Sequence, residues 1–292
     1  MRPMGKHLKA LLSSIVVFMV AASSFGQVAD GDRLWLTRSE GHQGAKARAT
    51  IIDSAIAAYQ RAVSQNPNDL EARWKLLRAI RFKGQHVASG KDEKKKVYAE
   101  ATKAGESALG VLDRMLSAKG LKSVTKASEK HIADAARTVP HAGSVLYWDA
   151  VAWGEWALVY GKMAAVKEGV ADRIKRQTTI VMMIDPKIEE GGGARVLGRL
   201  HNQTPRVPFI TGWASDKEAV KFLNQSLAQD PENKVTRVFL AEAMYANDKD
   251  TKPQAIEMLR QVINTPNDPD YVVEHAGAQE DARDLLKAWG VR

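Results

Sequence analysis

Residues 144–166, SVLYWDAVAWGEWALVYGKMAAV, are the one stretch of the chain with almost no polar face. On a helix, Tyr147, Val151 and Leu158 fall on one stripe, Trp148, Ala152, Trp156 and Val159 on the next, and Trp153, Ala157, Tyr160 and Ala164 on a third. A helix apolar on so many sides has to be wrapped by others. Its length would suit a membrane span, but Asp149, Glu155 and Lys162 interrupt it too closely for one. The stretch therefore predicts a buried central helix in an all-α protein.

Helical periodicity continues on both sides. Between 47 and 65, Ile51, Ala55, Ile56, Tyr59, Ala62 and Val63 recur at helical spacing, and Pro67 stops the helix. Asn68 with Glu71 offers a capping box for a second helix through Trp74, Leu77, Ile80 and Phe82. The spacing Ala55, Tyr59, Ala62, Val63, Pro67 resembles the second helix of a tetratricopeptide repeat, in which small residues let helices approach closely. It recurs at Ala219, Leu223, Ser226, Leu227 and Pro231, and at Ala255, Leu259, Val262, Ile263 and Pro266. Ile174, Thr178, Val181, Met182 and Pro186 make a degraded copy. The expected fold is a tetratricopeptide-like array of antiparallel helix pairs around the central helix.

The intervening segments vary in strength. Val97, Ala101, Ala104, Ala108, Val111, Leu112 and Met115 describe an amphipathic helix, whereas 121–139 is polar and weakly periodic. After 170–184 the chain reads KIEEGGG, a short helix, and an irregular loop over 202–213. Ser215 with Glu218 and Thr251 with Gln254 are capping boxes, and a last helix starts near Asp268-Pro269 and stops at Gly290.

Residues 1–26 stand apart: Arg2, Lys6 and Lys9 precede an apolar run and then small residues, the pattern of a secretory signal peptide. Residues 27–46 are expected to be a partly ordered arm, and 47–292 a single helical-repeat domain. With 45% hydrophobic residues the chain can bury a sizeable core. It contains no cysteine, which leaves no disulfide, no thiol chemistry and no acylated N-terminal cysteine. The compartment that fits is the periplasm. Without Arg2, Lys6 and Lys9 the formal charge falls from +9 to +6. The lysines concentrate in 91–130, including Lys94, Lys95 and Lys96, as a solvated helix face and not a nucleic-acid reading motif.

Candidate binding residues lie in two places. Tyr147, Trp148, Trp153 and Trp156 are either core or the wall of an apolar cleft. Glu155 among them is either paired with an arginine at a wet edge or set in a pocket. Gly191, Gly192 and Gly193 precede a helix carrying Arg195 and Arg199 one turn apart, which would suit a carboxylate or phosphate, or would form a tight turn with the arginines paired to Glu189 or Glu190. No histidine pair has metal-ligand spacing and no serine sits in a nucleophile elbow, so neither metal, cofactor nor catalysis is expected.

These residues together resemble one family, the T-component of the tetratricopeptide-associated TRAP transporters. The likeness is carried by Tyr147, Trp148, Trp153, Gly154 and Trp156, by Asp185, Pro186, Gly191, Gly192, Arg195, Leu197 and Gly198, and by Pro208, Gly212, Ala219, Ala241 and Glu242. It spans roughly residues 144–260. The resemblance implies paired helices around a central pore or cleft, a homo-oligomer that is trimeric in the characterised type, and docking onto a periplasmic solute-binding protein. Unlike that type, this chain has no cysteine for a lipid anchor, and it carries the added lysine-rich segment 84–139. The function expected is an adaptor for an envelope protein; the alternative is a protein binding an organic acid or apolar solute in a cleft between central helices.

Overall fold

The computed structural model describes residues 26–121, 124, 126–208 and 211–291. The expected signal peptide thus lies outside the described residues, except for Gly26. Helix α1 covers 26–36. It is followed by α2 (Ala49–Gln65), α3 (Leu70–His86), α4 (Lys91–Ala118), α5 (Glu129–Ala136), α6 (Ala142–Tyr160), α7 (Lys162–Lys167) and α8 (Val170–Ile184). Then come α9 (Gly192–Gln203), α10 (Asp216–Leu227), α11 (Lys234–Asn247), α12 (Lys252–Asn264) and α13 (Val272–Ala288). Among the described residues there is no strand, only an isolated bridge between Gln43 and Lys46. No described helix is long and apolar enough to cross a membrane.

Neighbours in sequence are neighbours in space. α2 packs on α3, α3 on α4, α4 on α6, α6 on α8, α8 on α9, and so on to α12 on α13, with α5 laid against α8. The result is an all-α, tetratricopeptide-like array with α6 in its middle. The repeat positions are what bring the helices together: Ala55, Tyr59, Ala62, Ala219, Leu223, Ser226, Ala255 and Leu259 are all fully buried. The degraded copy is packed as well, with Ile174, Thr178 and Val181 in the interior. Small side chains at these sites allow close axial approach, and the large ones fill the space between.

Four local expectations change. Residues 26–36 are a packed helix and not a loose arm. Val28 is buried against Ala62 and Ala72, the absence of a side chain at Gly31 admits the Tyr59 ring, and Asp32 accepts from Tyr59 Oη at 2.8 Å and pairs with Lys75 at 2.7 Å. The helix over α3 is capped by Asp69, which accepts from Ala72 N at 3.0 Å, and not by Asn68. The Thr251 hydroxyl donates to Met244 O and Asp248 O instead of capping α12, whereas Ser215 does accept from Glu218 N. The central helix starts two residues before Ser144 and ends at Tyr160, because Gly161 takes φ 93 and ψ 167, a region essentially reserved for glycine.

The array also closes on itself. Val273 of α13 is fully buried in the same cluster as Ile52, Ala55 and Ile80 of α2 and α3. Arg38, 5% exposed, donates through Nε to Glu274 Oε1 at 2.8 Å and through Nη2 to Asp270 O. Its guanidinium lies 4.6 Å from the Trp35 ring centre. The first and last helices therefore share one seam.

His86 sits at this seam, buried, with its ring 4.7 Å from Phe82 and close to Gly277 of α13. Its Nδ1 faces Ala45 O at 3.1 Å, which makes Nδ1 the protonated nitrogen of a neutral ring. Burial first, and then the Arg81 charge, push its pKa down to about 3. The unfolded chain takes up this proton near pH 6.5 while the native one refuses it, so stability contributed by the neutral ring is lost as pH falls below that value. Urea unfolding is expected to show a loss of about 2 kcal/mol between pH 6.5 and pH 5 from this residue, and His86→Gln should flatten that slope.

Candidate functional site

The aromatic residues of α6 divide between core and boundary. Tyr147, Trp148 and Trp153 are buried, Trp153 in a cluster with Val170 and Ile174. Trp148 Nε1 donates to Glu189 Oε1 at 3.0 Å, and the Arg173 guanidinium lies 4.5 Å from the Trp153 ring centre. Trp156 is half-buried and stacks on Tyr160 with ring centres 4.3 Å apart. Core packing thus takes three of the four aromatic side chains singled out above.

Glu155 is paired: Arg81 of α3 donates to its Oε1 at 3.0 Å. Its charge also helps burial hold the Tyr98 phenol above its ordinary value, with Arg81 opposing. The Glu155 charge also acts on Asp281 of α13. That residue keeps solvent-accessible surface, yet burial by its surroundings raises its carboxyl; Arg199 opposes the rise, while Asp284, Glu280 and Glu155 add to it. Arg199 of α9 and Glu155 of α6 are thus near enough to Asp281 of α13 for their charges to act on it. Tyr271 is exposed, with its phenol raised by partial burial and then by the charge of Glu190, Arg38 opposing.

Arg195 and Arg199 leave α9 one turn apart and then diverge. Arg199 pairs with Glu242 and lies 4.3 Å from the Phe239 ring centre. Arg195 donates to Glu189 O at 3.0 Å and Glu190 O at 3.4 Å, and reaches Tyr147 Oη and Thr236 Oγ1 at 3.4 Å each. Its partners are the carbonyls of the turn, not the carboxylates. That turn is strained: Glu189, Glu190 and Gly191 have φ of 49°, 55° and 81° in succession. The glycines serve packing, since a Cβ at Gly192 would strike the Tyr147 ring and one at Gly191 would strike the Ser226 backbone.

Two features had no sequence signal. Asp149 is completely buried, with Oδ2 accepting from Gln177 at 2.6 Å and from Arg173 at 3.2 Å, and Oδ1 pressed against Gly105 of α4. Burial raises its carboxyl, and Arg173 opposes the rise. In the sequence Asp149 was only an interruption of an apolar run, because its partners are 24 and 28 residues away. The second feature is at the surface. Tyr160 Oη donates to Lys95 O at 3.4 Å, and Lys95 Nζ is 5.7 Å from the Tyr160 ring centre. Lys95, within the lysine run that opens α4, thus lies against the end of α6. No group of three potential metal ligands occurs among the described residues.

No protein-family model matches the chain, and no curated protein matches it. Among solved structures, the TPR2AB domain of yeast Sti1 in its complex with pHSP90 is similar to it, at 13% identity and a TM-score of 0.27, over 90% of this chain and 99% of that one. At that score the two do not overlay as wholes. The array is defined by its own helix pairing.

Two substitutions probe this region. Trp153→Ala is expected to cost about 3–5 kcal/mol in chemical denaturation, as for a packed tryptophan. Glu190→Gly should instead stabilise the fold by about 1 kcal/mol, since glycine adopts the left-handed region without the penalty a side chain carries; it also removes a carboxyl raised by burial and by Asp230. A rise in the urea midpoint is the readout.

Proposed function

We propose that the chain is an exported adaptor that holds another protein of the envelope, working in the periplasm as an accessory to TRAP-type solute uptake and docking onto a solute-binding protein. The observation that carries the adaptor reading is the basic start of α4, with Lys91 and Lys96 exposed, Lys94 and Lys95 half-buried, and Lys95 against Tyr160 at the end of α6. Like charges gathered on one face steer an oppositely charged partner and give capture a salt dependence. The expected signal peptide and the resemblance to the T-component support the finer reading. A second reading, a protein that binds a small solute, has in its favour the charged groups Glu155, Arg199 and Asp281, brought within each other's electrostatic reach from three helices.

Crosslinked affinity purification from the cells that make the protein, with mass spectrometry of retained proteins and small molecules, separates these readings. Recovery of a solute-binding protein supports the transporter-accessory role, and retention of a solute alone supports the second. Replacing Lys94, Lys95 and Lys96 together by glutamate should weaken partner capture at least tenfold at low salt and less at high salt. Capture that is unchanged removes this surface from the account.

A further inference from the structure

The stretch from the end of α6 through α7 is packed the wrong way round for a monomer. Four of the large apolar side chains left exposed among the described residues fall within nine positions: Leu158 at 65% exposure, Tyr160 at 38%, Met163 at 84% and Val166 at 52%. Apart from Trp156, the inner side of the same stretch offers the core small groups. Ala157 and Ala165 pack against the cluster of Trp153, Val170 and Ile174, and Gly154 approaches Ile174. Folding alone favours the opposite arrangement, with leucine, methionine and valine inward and alanine outward. Contiguous apolar surface of this kind marks an interaction site.

The backbone holds the patch in place. Gly161 at φ 93° and Gly169 at φ 62° bracket α7, and an added Cβ at either would meet nothing within 4 Å. These glycines serve chain direction and not close packing: they turn α7 away from the α6 axis, so the apolar residues sit on two short segments at an angle. An amphipathic helix that lies on a lipid surface is a single continuous element with one apolar face. Two angled segments instead make a shaped surface suited to a shaped partner.

The rim states the partner's charge. Lys162 and Lys167 flank Met163 and Val166, and the start of α4 adds Lys91, Lys94, Lys95 and Lys96, with Lys95 against Tyr160. The neighbouring carboxylates are Asp92, Glu93, Glu168 and Asp172; Glu93 is turned back to accept from Ser89 N, and Asp92 lies 3.9 Å from Lys95. The balance is basic.

We infer that Leu158, Tyr160, Met163 and Val166 form the docking centre for a partner protein whose complementary surface is apolar and rimmed by carboxylates. This rests on the adaptor reading and names the part of the basic surface that makes contact, the lysines supplying steering and orientation around an apolar anchor.

The test uses the whole chain with a photoreactive benzoylphenylalanine at position 158, 163 or 166, and at the exposed Ser64 of α2 as the control. Irradiation in the cells that make the protein should join one and the same protein to all three sites and not to position 64. That protein, once identified and purified, should bind the wild-type chain in titrations. Its dissociation constant should rise at least tenfold with Met163→Asp, and with Lys162→Glu plus Lys167→Glu. Salt should weaken the wild-type complex more than the lysine variant's. All three substituted side chains are exposed, so circular dichroism should show the fold intact. Crosslinks to a second copy of this chain, or to phospholipid together with flotation on phosphatidylglycerol vesicles that Met163→Asp abolishes, would overturn the inference. A partner that binds these variants as well as wild type overturns the docking centre and leaves the adaptor reading standing; absence of any retained partner overturns both.

Discussion

The seam between the two ends of the chain is the constraint on which the rest depends. A helical array in which each element touches only its neighbours has no reason to close, and its inner face is open to solvent along its whole length. Here Val273 is buried among α2 and α3, and the Arg38 guanidinium, stacked on Trp35, is held by Glu274 and the Asp270 carbonyl. An arginine so buried would be costly without both partners. Closure brings Val272 and Val273 of α13 into one packed cluster with Leu34 and Trp35 of α1 and with Ile52 and Ile80.

Charges are arranged in pairs that link elements remote in sequence: Arg81 to Glu155, Arg199 to Glu242, Arg173 to Asp149. Each pair connects two helices whose apolar faces are already packed, so the ion pairs choose orientation more than they drive association. Asp149 is the extreme case, a carboxylate with no exposure whose second oxygen fits only because α4 has glycine at position 105. The turn at 189–191 follows the same logic in backbone form. Its left-handed residues are held by Arg195, which collects the carbonyls of Glu189 and Glu190, and by Trp148, which donates to the Glu189 carboxylate.

Much of the fold was legible because it is local. Ala55, Tyr59 and Ala62, their counterparts Ala219, Leu223 and Ser226, and Ala255, Leu259 and Val262 announce helix faces by spacing alone, and all are buried. The candidate site was less legible. Glu155 was conspicuous as a carboxylate among tryptophans, but Arg81 lies 74 residues away and no local pattern points to it. Residues 26–36 read as an arm because half of what fixes that helix is polar: Asp32 to Tyr59 and Lys75. Gly161 was hidden inside a run that is helical by periodicity, since a single glycine does not reveal whether its φ is positive.

What the amino-acid sequence determined by itself was the all-α class, the near-repeat of paired helices and the central helix, which is buried as far as Trp153 but exposes Leu158 and Tyr160 beyond it, because these depend on periodicities within one or two turns. What only the tertiary structure decided was the closure of α13 onto α1 and α3, the partners of Glu155, Asp149 and Arg195, and the outward turn of Leu158, Met163 and Val166. These depend on contacts between residues tens to hundreds of positions apart and on left-handed backbone angles at single glycines, and neither leaves a local mark in the sequence.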